Sequence, residues 1–269
     1  MESFSLDESS LISASVGSKG SQLKYKHDNK WFKVNTTGYE ADAEVLTCCI
    51  LKASNCSNYV QYHKCTINDR VGCYSENFLK DDEQLITFEN LYYVNVGESL
   101  TEKIARIDGV AARIQFVKES VQCYTRLDVS EYVDTIIALD FLIRNGDRHL
   151  NNMAIIRTAS GYRVAPIFDN GDAFLSSYQK FEPWLTVEEC LDRCTAKPFS
   201  GNFDAQFSCI ENKLRIDYSA VAKLMCGQEM TRGKEAALFL LEKYRNIFAE
   251  DSLQDISVFK TILSPSQIL

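Results

Sequence analysis

The sequence predicts an α+β chain, with a flexible end over residues 1–14, a small β-rich part over 15–95 and a larger helical part over 96–269. Three observations carry that division. Short alternating runs such as "KYKHDNKWFKVN" dominate the first third. Long runs with helical apolar spacing, such as "RLDVSEYVDTIIALDFLIRN", take over afterwards. A length of 269 residues at 45% hydrophobic content suffices for one large core or two modest ones.

In chain order, residues 1–14 are Ser-rich and acidic, which suits a frayed end. "VGSKGSQLKYKHDNKWFKVN" then reads as a Gly-bearing loop followed by a β-hairpin, with Asp28-Asn29 as its turn. Apolar Ala41, Val45, Cys48, Cys49 and Leu51 recur at helical spacing and predict a helix over 39–52. "NYVQYHKCTIN", "RVGCYSENFL" and "EQLITFENLYY" read as further strands. From about residue 97, "VGESLTEKIARI" and then the long apolar run ending at Asn145 read as helices. A hairpin follows, with strands over 153–157 and 162–168 around an Ala-Ser-Gly turn. Residues 171–212 hold two of the four prolines and few long periodic runs, and read as irregular, with a short helix near 186–194. "DYSAVAKLMC" and "TRGKEAALFLLEKYRNIFAE" close the chain as helices.

Composition narrows the function classes. A net charge of −8 without a Lys/Arg block disfavours a direct nucleic-acid partner. No window approaches the ~18 apolar residues of a membrane span, and "MESFSLDESSLISASV" lacks the basic and apolar regions of a signal peptide, so a cytoplasmic protein is expected. Ten cysteines include no Cys-x-x-Cys pair and accompany only three histidines, which points to reduced, mostly buried thiols rather than zinc.

One polar stretch stands apart. "FLIRNGDRHLNNMAII", residues 141–156, places Asp147, Arg148, His149 and Asn152 between two hydrophobic runs. Asn145 and Gly146 are ordinary turn residues, whereas the rest asks for more than a solvated turn. A carboxylate at Asp147, held between a buried helix and a hairpin, is rigidly placed. An Asn152 oxygen and the Asp169 carboxylate at the end of the hairpin form a hard oxygen site of the kind Mg²⁺ prefers, completed by waters and phosphate oxygens. Asp147 beside such a metal can orient a hydroxyl, which is the arrangement phosphoryl transfer uses. That chemistry also asks for a strand lysine paired with a helix carboxylate. Lys33 lies in the alternating strand, and Glu40 and Glu44 lie on the following helix. Glu44 is the better candidate, because Glu40 falls in the first turn where an acid favours the helix dipole.

"GDRHLNN" followed by "APIFDNGD" resembles the catalytic loop and metal segment of the HipA-like serine/threonine kinases, and more distantly of phosphatidylinositol-kinase-like atypical kinases. The order Asp-Arg-His distinguishes those families from typical protein kinases. The resemblance implies a bilobal protein-kinase-like fold and an ATP- and Mg²⁺-dependent kinase acting on Ser/Thr hydroxyls of a protein substrate. It implies Asp147 as catalytic base, Lys33 on the α/β-phosphates with Glu44 as its pair, and Asn152 and Asp169 on Mg²⁺. Gly17, Lys19, Gly20 and Ser21 would form the loop over ATP, while His149 and Arg148 would be structural. The chain departs from the typical Asp-Phe-Gly pattern with Asp169-Asn170-Gly171. Full-length HipA toxins carry an extra N-terminal subdomain, for which a phosphate lysine at position 33 has no room, so an antitoxin partner is doubtful. Ser176 and Ser177 fall where kinases carry activation segments. Other readings compatible with these residues are a lipid or small-molecule kinase, AMP transfer, and an inactive kinase-like binding module.

Overall fold

The computed structural model describes residues 1–12, 22–182, 184–226 and 228–250. The chain has a β-sheet N-terminal region and a helical C-terminal region, as the α+β expectation requires. Strands β1 (Glu2–Phe4), β2 (Lys24–His27) and β3 (Lys30–Val34) precede helix α1 (Glu40–Lys52), and β4 (His63–Ile67) and β5 (Arg70–Glu76) follow it. These five strands form one sheet in the order β1-β4-β5-β3-β2, antiparallel except for the β1–β4 pair. Asp28 and Asn29 both take positive φ (46° and 60°), as do Asn68 and Asp69 (47° and 62°). Both hairpins thus turn on two-residue loops of the kind whose twist matches that of the strands, and Asp and Asn tolerate that conformation.

Two expectations change here. Residues 2–4, read as part of a frayed end, pair with β4, and Asn68 holds the segment further by accepting from Leu6 N at 2.9 Å and donating to Leu6 O at 2.8 Å. Phe4 packs edge-on to Phe32 and Tyr74, with ring centroids 4.9 and 5.4 Å away, which gives the short strand an apolar anchor. The stretch "EQLITFENLYY" is not one strand. It divides into β6 (Gln84–Thr87) and helix α2 (Phe88–Val96), because the Thr87 hydroxyl accepts from Asn90 N and caps a helix inside an apolar run.

Helices α3 (Leu100–Ala105), α4 (Val110–Thr125) and α5 (Ser130–Ile143) come next, then hairpin β7 (Ala154–Thr158) and β8 (Gly161–Val164). Strand β6 joins this hairpin as a three-stranded antiparallel sheet. The second hairpin strand stops at Val164, short of the expected 168, since Pro166 has no N–H to continue the ladder. Short helices α6 (Val187–Leu191) and α7 (Phe203–Phe207) and helices α8 (Tyr218–Cys226), α9 (Arg232–Lys243) and α10 (Arg245–Phe248) complete the chain. Helix α4 buries Ile114, Val117 and Val121 along one face at helical spacing, an element that the expectations above leave out. The main core draws side chains from each of α1–α10. Helix α5 is apolar on nearly every side and buried throughout its second half, so the loop that leaves it starts from a rigid base. Among the described residues no helix is long and apolar enough to cross a membrane.

Candidate active site

Lys33 is the point at which the separate elements meet. Its Nζ lies 2.5 Å from Glu44 Oε1 on α1 and 2.7 Å from Asp169 Oδ1 beyond β8. The ammonium also stands 4.8 Å from the centre of the Tyr62 ring. Burial alone would depress the Lys33 pKa, but the Asp169 and Glu44 carboxylates outweigh it and hold the ammonium well above the usual lysine range. Burial would likewise raise the Asp169 pKa, yet Lys33 and then Lys24 hold it well below the usual carboxylate range. Lys24, opposite Lys33 on the neighbouring strand, brings its Nζ to 3.8 Å from Asp169 Oδ2. Its own pKa is lowered, by burial first and by Lys33 next, against the pull of Asp169.

The choice between the two α1 acids is resolved by geometry. Glu40 turns back on the approach to the helix and accepts from Thr37 N at 2.7 Å and Gly38 N at 3.2 Å. Glu44 is buried. Its second oxygen accepts from Asn170 N at 2.9 Å, so one carboxylate holds both the strand lysine and the backbone just past Asp169.

Asp169 sits at φ 61°, in the left-handed region that non-glycine residues seldom occupy. Arg148 fixes the residues on either side of it. The fully buried guanidinium donates to Phe168 O at 2.7 Å and Asn170 Oδ1 at 2.6 Å, and it pairs with Asp140 of α5 through Nε at 2.9 Å and Nη2 at 3.0 Å. Arg148 thus takes its carboxylate partner from α5, at Asp140. Asn170, standing where typical kinases have Phe, is buried. It links to the helix through its own N–H and to the polar loop through its side chain.

In the polar loop, Asn145 Oδ1 accepts from Asp147 N at 3.2 Å, and Asn145 Nδ2 donates to Asp140 Oδ1 at 3.2 Å. The Asp147 carboxylate points to a half-exposed position and meets Lys197 Nζ at 2.8 Å. Asn152 is buried, and its Oδ1 has no hydrogen-bond partner; the same holds for His149 Nδ1. An unpartnered buried amide oxygen is costly, and it is satisfied by a water or by a bound cation. Among the described residues no cluster of three His, Cys, Asp or Glu side chains could enclose a metal. A divalent ion here would therefore rest on Asn152 and Asp169 with waters and phosphate oxygens, which is how Mg²⁺ is usually held. Gly17, Lys19, Gly20 and Ser21 lie outside the described residues.

Solved structures with the same arrangement of elements include the Helicobacter pylori proinflammatory kinase CtkA. It superposes with a TM-score of 0.58 over 90% of this chain and 94% of its own, at 14% identity. The fold is kinase-like. HipA of Shewanella oneidensis MR-1, seen in a toxin–antitoxin complex with HipB and operator DNA, aligns over 96% of this chain and 64% of that one, with TM-score 0.46 and 12% identity. No protein-family model and no curated protein matches the sequence.

Within this kinase-like fold, three residues at the site escaped sequence reasoning. Asp140 carried a signal, a charge inside an otherwise apolar helix, since such charges are buried only when paired. Lys24 alternates with Tyr25 and Lys26 in a strand that reads as solvated, so nothing local marks it. Lys197 lies 50 positions beyond Asp147 in an irregular segment, and only the folded chain brings the two together.

Ser176 and Ser177 are both buried in the segment after Asp169. Ser176 Oγ donates to Gly171 O at 2.6 Å, and Ser176 O accepts from Tyr39 N at 3.1 Å. Neither hydroxyl is open to a phosphate donor in this conformation.

Proposed function

We propose that the chain is an ATP- and Mg²⁺-dependent kinase that transfers the γ-phosphoryl group to a Ser or Thr hydroxyl of a protein substrate. The observation that carries this reading is the Lys33 ammonium bridging Glu44 and Asp169, at 2.5 and 2.7 Å. A buried lysine clamped between two carboxylates from different elements is an expensive arrangement for stability alone. It is economical where the lysine must stay charged beside phosphates and one of the acids must face a metal. The unpartnered Asn152 Oδ1 supports the second metal-facing group. The similarity of fold to a kinase supports the reaction class.

In this reading Lys33 contacts the α/β-phosphates and Glu44 orients it. Asn152 and Asp169 hold Mg²⁺, which when bound with ATP would neutralise the charge that develops on the phosphate oxygens. Asp147 orients the acceptor hydroxyl and takes its proton. Arg148 keeps Phe168 and Asn170 in place, and through them sets the direction in which Asp169 points.

Incubation with ATP and Mg²⁺, with candidate protein acceptors and then alone, followed by intact-mass spectrometry, tests the proposal. A gain of one phosphate on acceptor or chain, abolished in Asp169→Ala, is the expected result. A gain of AMP mass would replace the reading with nucleotidyl transfer. No gain on any protein, alongside measurable ATP binding, would favour a binding module, and phosphorylation of an added lipid or small alcohol would move the substrate class.

A further inference from the structure

The half-exposed ion pair of Lys197 with Asp147 is held by a structure out of proportion to its own strength. The two side chains are 50% and 47% exposed. Pairs of that kind contribute little to stability. Yet the turn that carries Lys197 is clasped from within. Gln206 of α7, 3% exposed, donates from Nε2 to Lys197 O at 3.3 Å and Ser200 O at 3.0 Å, and its Oε1 accepts from Phe199 N at 3.4 Å. Arg113 of α4 donates to Phe199 O at 2.9 Å, and Ala196 N donates to Gly201 O at 3.0 Å. Ala196 and Phe199 are buried beside Lys197 in the chain. The turn also seats against the residue just before Asp147: Thr195 O stands 3.1 Å from where a Cβ on Gly146 would be, as does Asp172 Oδ2. Lys197 is thus mounted on a fixed backbone at the acceptor end of the site.

The other basic residues near the site are committed elsewhere. Arg148 is fully buried and spent on Asp140, Phe168 O and Asn170. Lys33 is clamped between Glu44 and Asp169, and Lys24 lies on the Asp169 side. Lys180 meets Asp172 at 2.6 Å. His149 is part-buried, and burial disfavours its charged form.

Resting on the kinase reading, we infer that Lys197 is a phosphoryl-contacting residue that bridges the Asp147 carboxylate and the γ-phosphoryl group during transfer. An ammonium has three donors, and the contact with Asp147 uses one of them. In the transfer the acceptor O–H bond breaks and its proton passes to Asp147. The acceptor oxygen bonds to the γ-phosphorus as the bond from that phosphorus to the β–γ bridging oxygen breaks, and that oxygen leaves with ADP. Lys197 keeps its protons throughout; it neutralises charge on the transferring group and holds Asp147 toward it.

Lys197→Met and Lys197→Arg, compared with wild type in single-turnover transfer and in ATP and ADP binding, test this inference. Lys197→Met should slow transfer by about 10²-fold or more, the scale of losing one preorganised charge-stabilising donor. Lys197→Arg should recover most of the rate. The preference for ATP over ADP should fall in Lys197→Met and return in Lys197→Arg, with ADP affinity unchanged. A merely structural lysine would move neither the preference nor its rescue. Gln206→Ala, which loosens the turn, should slow transfer in the same direction but less. A Lys197→Met chain that transfers as fast as wild type overturns the assignment, and one that transfers faster makes Lys197 an inhibitory latch instead. A wild type that neither transfers nor hydrolyses phosphate overturns the kinase reading itself, and this assignment with it.

Discussion

Arg148 grips both oxygens of the Asp140 carboxylate, Nε to Oδ2 at 2.9 Å and Nη2 to Oδ1 at 3.0 Å, with only 1% and 6% of the two side chains exposed. The pair ties the last turns of α5 to the polar loop, and the remaining guanidinium hydrogens tie that loop to the residues flanking Asp169. Removing one member of a buried pair strands the other charge, which typically costs roughly 3–5 kcal/mol. Arg148→Met should therefore destabilise the protein on that scale in urea unfolding. The double variant Asp140→Leu/Arg148→Met should recover much of the stability. It should not recover nucleotide turnover, because Phe168 O and Asn170 Oδ1 still lack their donor. A double variant with wild-type turnover would show that Arg148 serves stability alone.

Gly38 meets the segment after Asp169 at a point with no room for a side chain. A Cβ there would run into the backbone carbonyl of Ser176, where Gly38 and Ser177 form a β-bridge beside the start of α1. Tyr39 OH adds a contact by donating to Leu175 O at 2.7 Å, and Phe174 and Leu175 hold positive φ values of 52° and 61°. Gly38→Ala must shift one backbone against the other, and overpacking of this kind costs roughly 1–3 kcal/mol. The expected outcome is a lower melting temperature together with faster proteolysis within residues 171–180. An unchanged melting temperature and cleavage pattern would mean that the two segments are not packed as described.

How much of this is legible in sequence depends on whether a signal is local. The β2–β3 turn at Asp28-Asn29 and the helix over 40–52 are legible because turn chemistry and apolar spacing are written into adjacent residues. The pairing of Lys33 with Glu44 is legible from the order of strand and helix, a chemical template rather than a local rule, whereas the direct contact of Lys33 with Asp169 is not, because the sequence marks Asp169 only as a carboxylate beyond the hairpin. The Thr87 cap inside "LITFENL" is not, since the flanking residues are equally apolar on both sides of the switch. Lys197 is illegible for a different reason. Its place depends on Gln206 folding an irregular turn back onto Gly146, and no periodicity records that.

His149 links stability to pH. Burial, opposed by Asp147 and then Asp169, lowers its pKa from the ordinary ~6.5, so the folded chain prefers the neutral ring. As pH falls through ~6.5 the unfolded chain takes up a proton that the folded chain resists, so the unfolded state binds more protons and stability drops with acidification. His149→Gln should remove that contribution. Its melting temperature should fall less than that of wild type between pH 7.5 and pH 5.5. An identical loss in both would show that the ring protonates as readily in the folded chain as in the unfolded one.

Asp147 separates chemistry from architecture. The shape of the polar loop does not depend on its carboxylate: Asn145 Oδ1 accepts from the Asp147 backbone N at 3.2 Å, Asn152 N donates to His149 O at 2.8 Å, and Arg148 anchors the interior. The side chain is half-exposed and its ion pair with Lys197 is equally so. Asp147→Asn should therefore change stability by no more than about 1 kcal/mol. Proton acceptors typically contribute ~10²- to 10⁴-fold in rate, so phosphoryl transfer should fall into that range. Affinity for a non-hydrolysable ATP analogue, read by titration calorimetry, should stay near wild type, since the proposed function assigns the phosphates to Lys33 and the groups around Asp169. Should binding collapse and the protein melt several degrees earlier instead, the Asp147 carboxylate holds the loop together. Lys197 would then be its structural counter-ion rather than a contact to the transferring group.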